Sequence, residues 1–375
     1  MLATIVIGAN YGDEGKGLMT DYFCSKKSAD LVVRFNGGAQ AGHTVVTPES
    51  KRHVFSHFGS GTFLGIPTYL YKYFVVNPVI FRKEYETIED LHPKVFRDFR
   101  CYITTPYDMM YNQFLEELRG NDKHGSCGLG IGATMERYER SKFEVSNYYV
   151  DEEELSLVRM YYLEKMQKIL ILNEDKDFFM KWRELFLDSN IMDHFIDDCN
   201  FFFDNTTIEV PQFNHAVFEG AQGLALDQNM GRFPYVTRSN TGMRNVIKCQ
   251  REWKFDIDEI VYVTRSYLTR HGADPQFFEW KKNFPMSIQD NTNVENTWQG
   301  KIKYGGWDNG EYKQMMERIH LDLRSNGLTW NKNNASIALT HSDQFNSSPV
   351  RNAKYISTGP TRNDIVETQT RWNKT

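Results

Sequence analysis

The chemistry-bearing residues of this chain crowd into two short stretches. In "GDEGKG", residues 12–17, three glycines are interleaved with Asp13, Glu14 and Lys16. A Walker-type phosphate loop has the pattern G-x-x-x-x-G-K-[ST]: backbone amides cradle the phosphates, the lysine adds a point charge and the hydroxyl holds Mg²⁺. Gly15 and Lys16 keep the second half of that pattern, while Asn10 stands at the first glycine and Gly17 at the hydroxyl residue. An apolar run precedes the loop and a helical pattern follows it, a placement that aims amides at an anion. A carboxylate is tolerable there when a cation lies between it and the phosphates, so Asp13 is read as an oxygen ligand for Mg²⁺. Beside a lysine and a metal it would stay ionised, available to accept a proton. The plainer reading is a glycine-rich turn carrying a solvated acid and base.

The second stretch is "FNGGAQAGHT", residues 35–44. Gly37, Gly38 and Gly42 let backbone approach a ligand closely. His43 has the pKa range of a general acid, although a histidine after a strand is also an ordinary structural residue.

Such groups need rigid elements to hold them. "LATIVIGA" reads as a buried strand, "LMTDYFCSKK" as a helix and "DLVVRF" as a second strand, an order that predicts a parallel α/β sheet. Strand-like runs return at "AVFEGAQG", "EIVYVTRSY" and "ASIALTHSD", each closing on polar or small residues. Ligands of such sheets gather at the carboxyl ends of the strands. Between 151 and 205 the texture turns acidic and helical: Leu155, Val158, Tyr162, Met166 and Ile169 recur at steps of three and four behind the acidic turn "DEEE". With no repeat or low-complexity linker, residues 1–375 are expected to form one domain with this helical subdomain inserted in it.

Composition removes several classes of function. With 40% hydrophobic and 25% charged residues the chain is globular, and a net charge of −5 provides no field to collect a polyanion. Nucleic-acid binding is therefore not expected, and any phosphate must be gripped locally. No run approaches the ~18 apolar residues of a membrane span, and "MLATIVIGAN" leads into a charged motif instead of a cleavage site. Cys24, Cys101, Cys127, Cys199 and Cys249 lack C-x-x-C spacing, which argues against a disulfide framework or structural zinc. A cytoplasmic location is expected.

Taken in order, "GDEGKG", "GGAQAGHT", "FEGAQGLALD", "GRFPYVTRSN" and "STGPTR" resemble the adenylosuccinate synthetase family from residue 1 to about 365. The resemblance implies a P-loop-related nucleotide-binding fold and a ligase, usually a homodimer, that condenses IMP with L-aspartate while cleaving GTP with Mg²⁺. It implies that Asp13 takes the N1 proton of the purine and ligates the metal together with the Gly42 carbonyl. O6 would then attack the γ-phosphate, with His43 and Lys16 stabilising the phosphate side. The triphosphate would meet Gly12, Glu14, Gly15, Lys16, Gly17, Gly42, Thr44 and Lys303, and its guanine would meet His341, Ser342, Asp343, Ser357, Thr358 and Gly359. The purine nucleotide would lie against Gln40, Ser126, Cys127, Gln222, Thr237 and Lys301, with Arg140 nearest to the family's intersubunit arginine. Aspartate would be held by Thr297, Gln299, Gly300 and Lys301.

This sequence departs from the family pattern at several of these places. His341 and Ser342 replace the lysine and leucine of "TKLD", Lys301 and Lys303 stand where arginines are expected, Cys127 replaces a threonine and Gln40 an asparagine. Lysine cannot fork onto a carboxylate as arginine does. Two other readings stay open. One is a viral-type relative that aminates dGMP to 2-aminoadenylosuccinate with ATP or GTP. The other is a non-catalytic nucleotide sensor, which would need neither Asp13 nor His43.

Overall fold

The computed structural model describes residues 1–141, 143–173, 175–274, 284, 288, 293, 298–345 and 348–368. Its strands, in chain order, are β1 (Leu2–Gly8), β2 (Leu31–Arg34), β3 (His43–Val46), β4 (Arg52–Phe55), β5 (Thr68–Leu70), β6 (Val75–Val76), β7 (Val95–Arg97), β8 (Tyr102–Ile103), β9 (His215–Gly223), β10 (Asp256–Arg265), β11 (Leu268–Arg270), β12 (Lys303–Gly305), β13 (Ala335–Thr340), β14 (Tyr355–Ser357) and β15 (Ile365–Glu367). The helices are α1 (Lys16–Lys26), α2 (Pro78–Ile88), α3 (Pro106–Arg119), α4 (Ile131–Arg140), α5 (Glu152–Asn173), α6 (Lys176–Leu187), α7 (Ser189–Asp204), α8 (Arg244–Trp253) and α9 (Asn309–Ser325).

Nine strands form the central sheet in the order β15-β14-β13-β10-β1-β9-β2-β5-β7. Every pair is parallel except β14–β15. The strands expected from the sequence take the middle of this sheet. Both faces of β1 are covered, which is why its sequence is an unbroken apolar run. Ile5 and Ile7 join a cluster with Met315 and Ile319 of α9, whereas Val6 points to the other face and packs with Met19 and Phe23 of α1. Because the strands run parallel, the polar segments after β1, β2, β9, β10 and β13 all leave from one edge.

The helical region follows its predicted face. Leu155, Val158, Tyr162 and Met166 are fully buried, with Ile169 packed against them. The same cluster takes in Tyr107, Tyr111 and Phe114 of α3. A buried ion pair welds these helices: Arg137 of α4 meets Asp108 of α3 at 2.9 Å, and Tyr162 of α5 donates to the same carboxylate at 2.5 Å. The helices expected at 151–205 thus pack with α3 and α4, and the segment between those two helices lines the cavity described below. Among the described residues no helix is long and apolar enough to cross a membrane.

Candidate functional site

At the carboxyl edge of the sheet lies a cavity of about 900 Å³, at the upper end of the ~300–1,000 Å³ typical of small-molecule sites. Gly12 to Gly17 form its floor. Gly15, at φ 84, caps α1, and a Cβ there would sit 3.0 Å from Cγ2 of Thr340, so the loop passes this strand end at a distance that suits glycine. Thr340 donates from Oγ1 to the Glu14 carbonyl at 2.8 Å. Glu14 braces the loop from inside: its Oε1 accepts the Asn10 amide at 2.5 Å, and burial pushes its pKa up to about 7. Lys16 stands 3.8 Å from Glu14, and burial lowers its pKa.

Asp13 is held from across the cavity. Its Oδ2 lies 3.1 Å from Nε2 of His271. Burial pushes the carboxyl pKa up, but the hydrogen bond and charge of His271, with Arg265 and Lys16, outweigh it and bring it to about 2. In the ligand-free fold the group is therefore ionised at neutral pH and free to accept a proton.

His43 opens β3 instead of ending a loop, and it too borders the cavity. Nδ1 is 2.7 Å from Oε1 of Glu219 on β9, while Nε2 is buried with no protein partner. Glu219 also accepts from the Ser60 amide at 3.1 Å and from the Ser60 hydroxyl, and lies 3.9 Å from Arg34. Burial opposes this carboxylate's charge, but His43, Arg34 and Ser60 hold its pKa at about 2. A carboxylate can only accept, so Nδ1 of His43 carries a proton and Nε2 is left for a ligand. Burial lowers the His43 pKa. An anionic phosphate at Nε2 would reverse that shift.

The remaining expected residues divide into two groups. Gln40, Gly42, Thr44, Ser126, Cys127, Gln222, Thr237, Gln299, His341, Asp343, Ser357 and Gly359 all line the same cavity. Both polar atoms of the Gln40 amide are buried without a protein partner, which marks a polar ligand's place. Gly300, Lys301, Lys303, Ser342, Thr358 and Arg140 are not among the lining residues. Lys303 donates to the Gly272 carbonyl at 2.5 Å, so it staples a turn. Ser342 pairs by its amide with the Ser357 carbonyl, and Thr358 donates to the Asp364 carbonyl. The Arg140 side chain is 69% exposed at the end of α4, 4.0 Å from Glu136. Thr297 lies outside the described residues.

Sequence reasoning missed Glu219 and His271. Glu219 stands inside the quoted run "FEGAQG", where a buried acid among apolar neighbours is itself a signal. His271 in "TRHGA" repeats the grammar of His43, a histidine beside glycine at a strand end. Arg265, Arg270, Tyr267 and Gln344 also line the cavity and carried no motif.

Comparison with known proteins places the chain in a family. The family model for adenylosuccinate synthetase matches residues 5–319. Adenylosuccinate synthetase of Trichodesmium erythraeum (strain IMS101) is 30% identical over 335 residues, 82% of this chain and 70% of the relative. That of Clostridium novyi (strain NT) is 30% identical over 336 residues, 82% and 72% of the two chains. Among solved structures, the fully ligated adenylosuccinate synthetase of Plasmodium falciparum superposes with a TM-score of 0.63 at 17% identity, covering 98% of this chain and 99% of that one. Cyanophage S-2L succinoaminodeoxyadenylate synthetase, bound to dGMP and to dATP as an energy donor, superposes with a TM-score of 0.61 at 15% identity, covering 98% and 95%. At such identities the two structures speak for the fold.

Proposed function

The chain belongs to the adenylosuccinate synthetase family and is a ligase of that type, and from this premise we propose that its cavity joins IMP to L-aspartate at the expense of GTP. The observation that carries the proposal is that a carboxylate, Asp13, and an imidazole with an unpartnered Nε2, His43, border one cavity of about 900 Å³.

In the first step Asp13 takes the proton from purine N1, O6 forms a bond to the γ-phosphorus, and the bond from that phosphorus to the β-bridging oxygen breaks, releasing GDP. His43 donates from Nε2 to the transferring phosphoryl group. Lys16 and the amides of residues 12–17 face the charge that builds on the phosphate oxygens. Phosphoryl transfer proceeds through a loose, highly charged state, so positioning and electrostatics carry most of the barrier lowering. In the second step the amine of aspartate attacks C6, the C6–O6 bond breaks, and inorganic phosphate leaves with O6 and the proton shed by the amine, giving adenylosuccinate.

Magnesium fits the donor set: the Asp13 carboxylate and the Gly42 backbone border the same cavity, and this ion is commonly held by one carboxylate with phosphate oxygens and waters completing its shell. When bound it would neutralise phosphate charge. The family resemblance also supports a cytoplasmic homodimer, with exposed Arg140 reaching the partner's site.

The test is a matrix of IMP, GMP and dGMP against GTP, ATP and dATP, with aspartate present and each product weighed by mass spectrometry. Adenylosuccinate from IMP and GTP is expected. Amination of dGMP alone would replace this reading with the viral-type one, and phosphate release indifferent to aspartate would make the protein a nucleotide switch.

A further inference from the structure

We propose that His271 is a positioning residue for the Asp13 carboxylate; the inference rests on the reading of Asp13 as the acceptor of the purine N1 proton. Among the described residues His271 is the one side chain within ion-pair distance of Asp13, its Nε2 lying 3.1 Å from Oδ2. The same nitrogen lies 3.1 Å from Oδ1 of Asn293. Both neighbours present oxygens to that nitrogen, so it carries a proton: the hydrogen bond runs to Asn293, and the Asp13 carboxylate lies at ion-pair distance from the same N–H. With Oδ2 engaged, Oδ1 is the oxygen left for the purine or the cation.

Asp13 needs such a support. It sits at φ 54 in a glycine-flanked loop, and its side chain is 26% exposed to the cavity. Without a partner its carboxylate would rotate among several orientations, only some of which meet N1. His271, by contrast, lies in a turn tied from several sides. Arg270, its neighbour, pairs in register with Lys303 across β11–β12, and the Lys303 ammonium holds the Gly272 carbonyl. The Ala273 amide donates to the His124 carbonyl at 3.1 Å, and Thr269 donates to the Gly12 carbonyl at 3.3 Å. The imidazole is therefore a fixed point against which the Asp13 carboxylate is set. Lys303 acts in this scheme through the turn. Partners that orient a reacting or metal-binding group in this way typically matter by ~10–100-fold.

The experiment compares wild type with His271→Ala, His271→Gln, Asp13→Ala and Asp13→Asn, all checked for native circular dichroism. His271→Ala should lower kcat by about 10- to 100-fold with KM for GTP unchanged. His271→Gln, whose amide N–H can still donate to Oδ2, should recover most of the loss. Independently of turnover, the imidazole ¹H–¹⁵N signal of His271 in the ligand-free protein should move in Asp13→Asn. A kcat within twofold of wild type in His271→Ala, equal loss in Ala and Gln, or an unmoved imidazole signal would overturn the positioning role. Near-normal turnover in Asp13→Ala would instead overturn the reading of Asp13 on which the inference rests.

Discussion

Nδ1 of His43 and Oε1 of Glu219 meet at 2.7 Å across 176 residues of sequence, both buried. The bond hands the imidazole a fixed tautomer and leaves its other nitrogen to the cavity. Glu219→Gln should therefore lower kcat by roughly 10- to 100-fold, as is usual when a group that orients a functional histidine loses its charge. It also leaves Arg34, wholly buried, without its counter-charge. Loss of one member of a buried pair costs about 3–5 kcal/mol, so urea denaturation should report a lower midpoint, while single-turnover phosphate release reports the kinetic loss.

Asp13→Asn and His43→Asn remove the proton acceptor and donor without changing side-chain size much. General acid and base groups contribute about 10²–10⁴-fold each, so both variants should lose at least that much turnover while still binding GTP in calorimetry. Retained turnover in either would end its assignment.

Acid stability has a direction set by two carboxylates. Glu219 and Glu84 are held near a pKa of about 2 in the fold, in spite of burial, by His43 and Arg34 in one case and by His53 and His57 in the other. An unfolded glutamate titrates near ~4.3. The folded state binds fewer protons between these values, so their stabilisation is complete above the unfolded pKa and disappears as pH falls toward about 2. Urea midpoints should fall steeply over that window, and less steeply in Glu84→Gln.

Glu311 has the opposite sign. Burial, with Asp308 and Asp274 adding to it, pushes its pKa up to about 7, and Oε2 has no hydrogen-bond partner. Stability is lost as pH rises from the unfolded value near ~4.3 toward that point. Glu311→Gln should stabilise the protein at pH 8, by about 1–3 kcal/mol, and leave it nearly unchanged at pH 4.

Gly125 takes φ 71, and a Cβ there would come within 2.7 Å of the Gly272 Cα. The left-handed conformation alone costs an alanine about 1–2 kcal/mol, and the clash would pry the segment bearing Ser126 and Cys127 from the His271 turn. Gly125→Ala should raise KM for the purine nucleotide more than it lowers kcat, as steady-state kinetics would show.

Much of the sheet was readable because doubly covered parallel strands are apolar runs with polar ends: "LATIVIGA", "AVFEGAQG" and "ASIALTHSD" all became central strands. The face of α5 was equally readable, since burial on one side of a helix imposes a period near 3.6. The strand order was not. Nothing local in β1 says that its neighbours are β9 and β10, because the pairing depends on chain segments folded far apart.

The amino-acid order alone determined that a glycine-rich loop with Asp13 and Lys16, and a second with His43, would stand at strand ends and could serve phosphate chemistry, since spacing and residue type are local properties. Tertiary structure decided which groups hold them: Glu219 for His43 and His271 for Asp13. It also placed the Lys303 ammonium on the Gly272 carbonyl and left Arg140 exposed, outside the lining of its own cavity. Hydrogen bonds of a few ångströms between residues remote in sequence exist only once the parallel sheet has brought its strand ends to one edge, and no local pattern encodes that meeting.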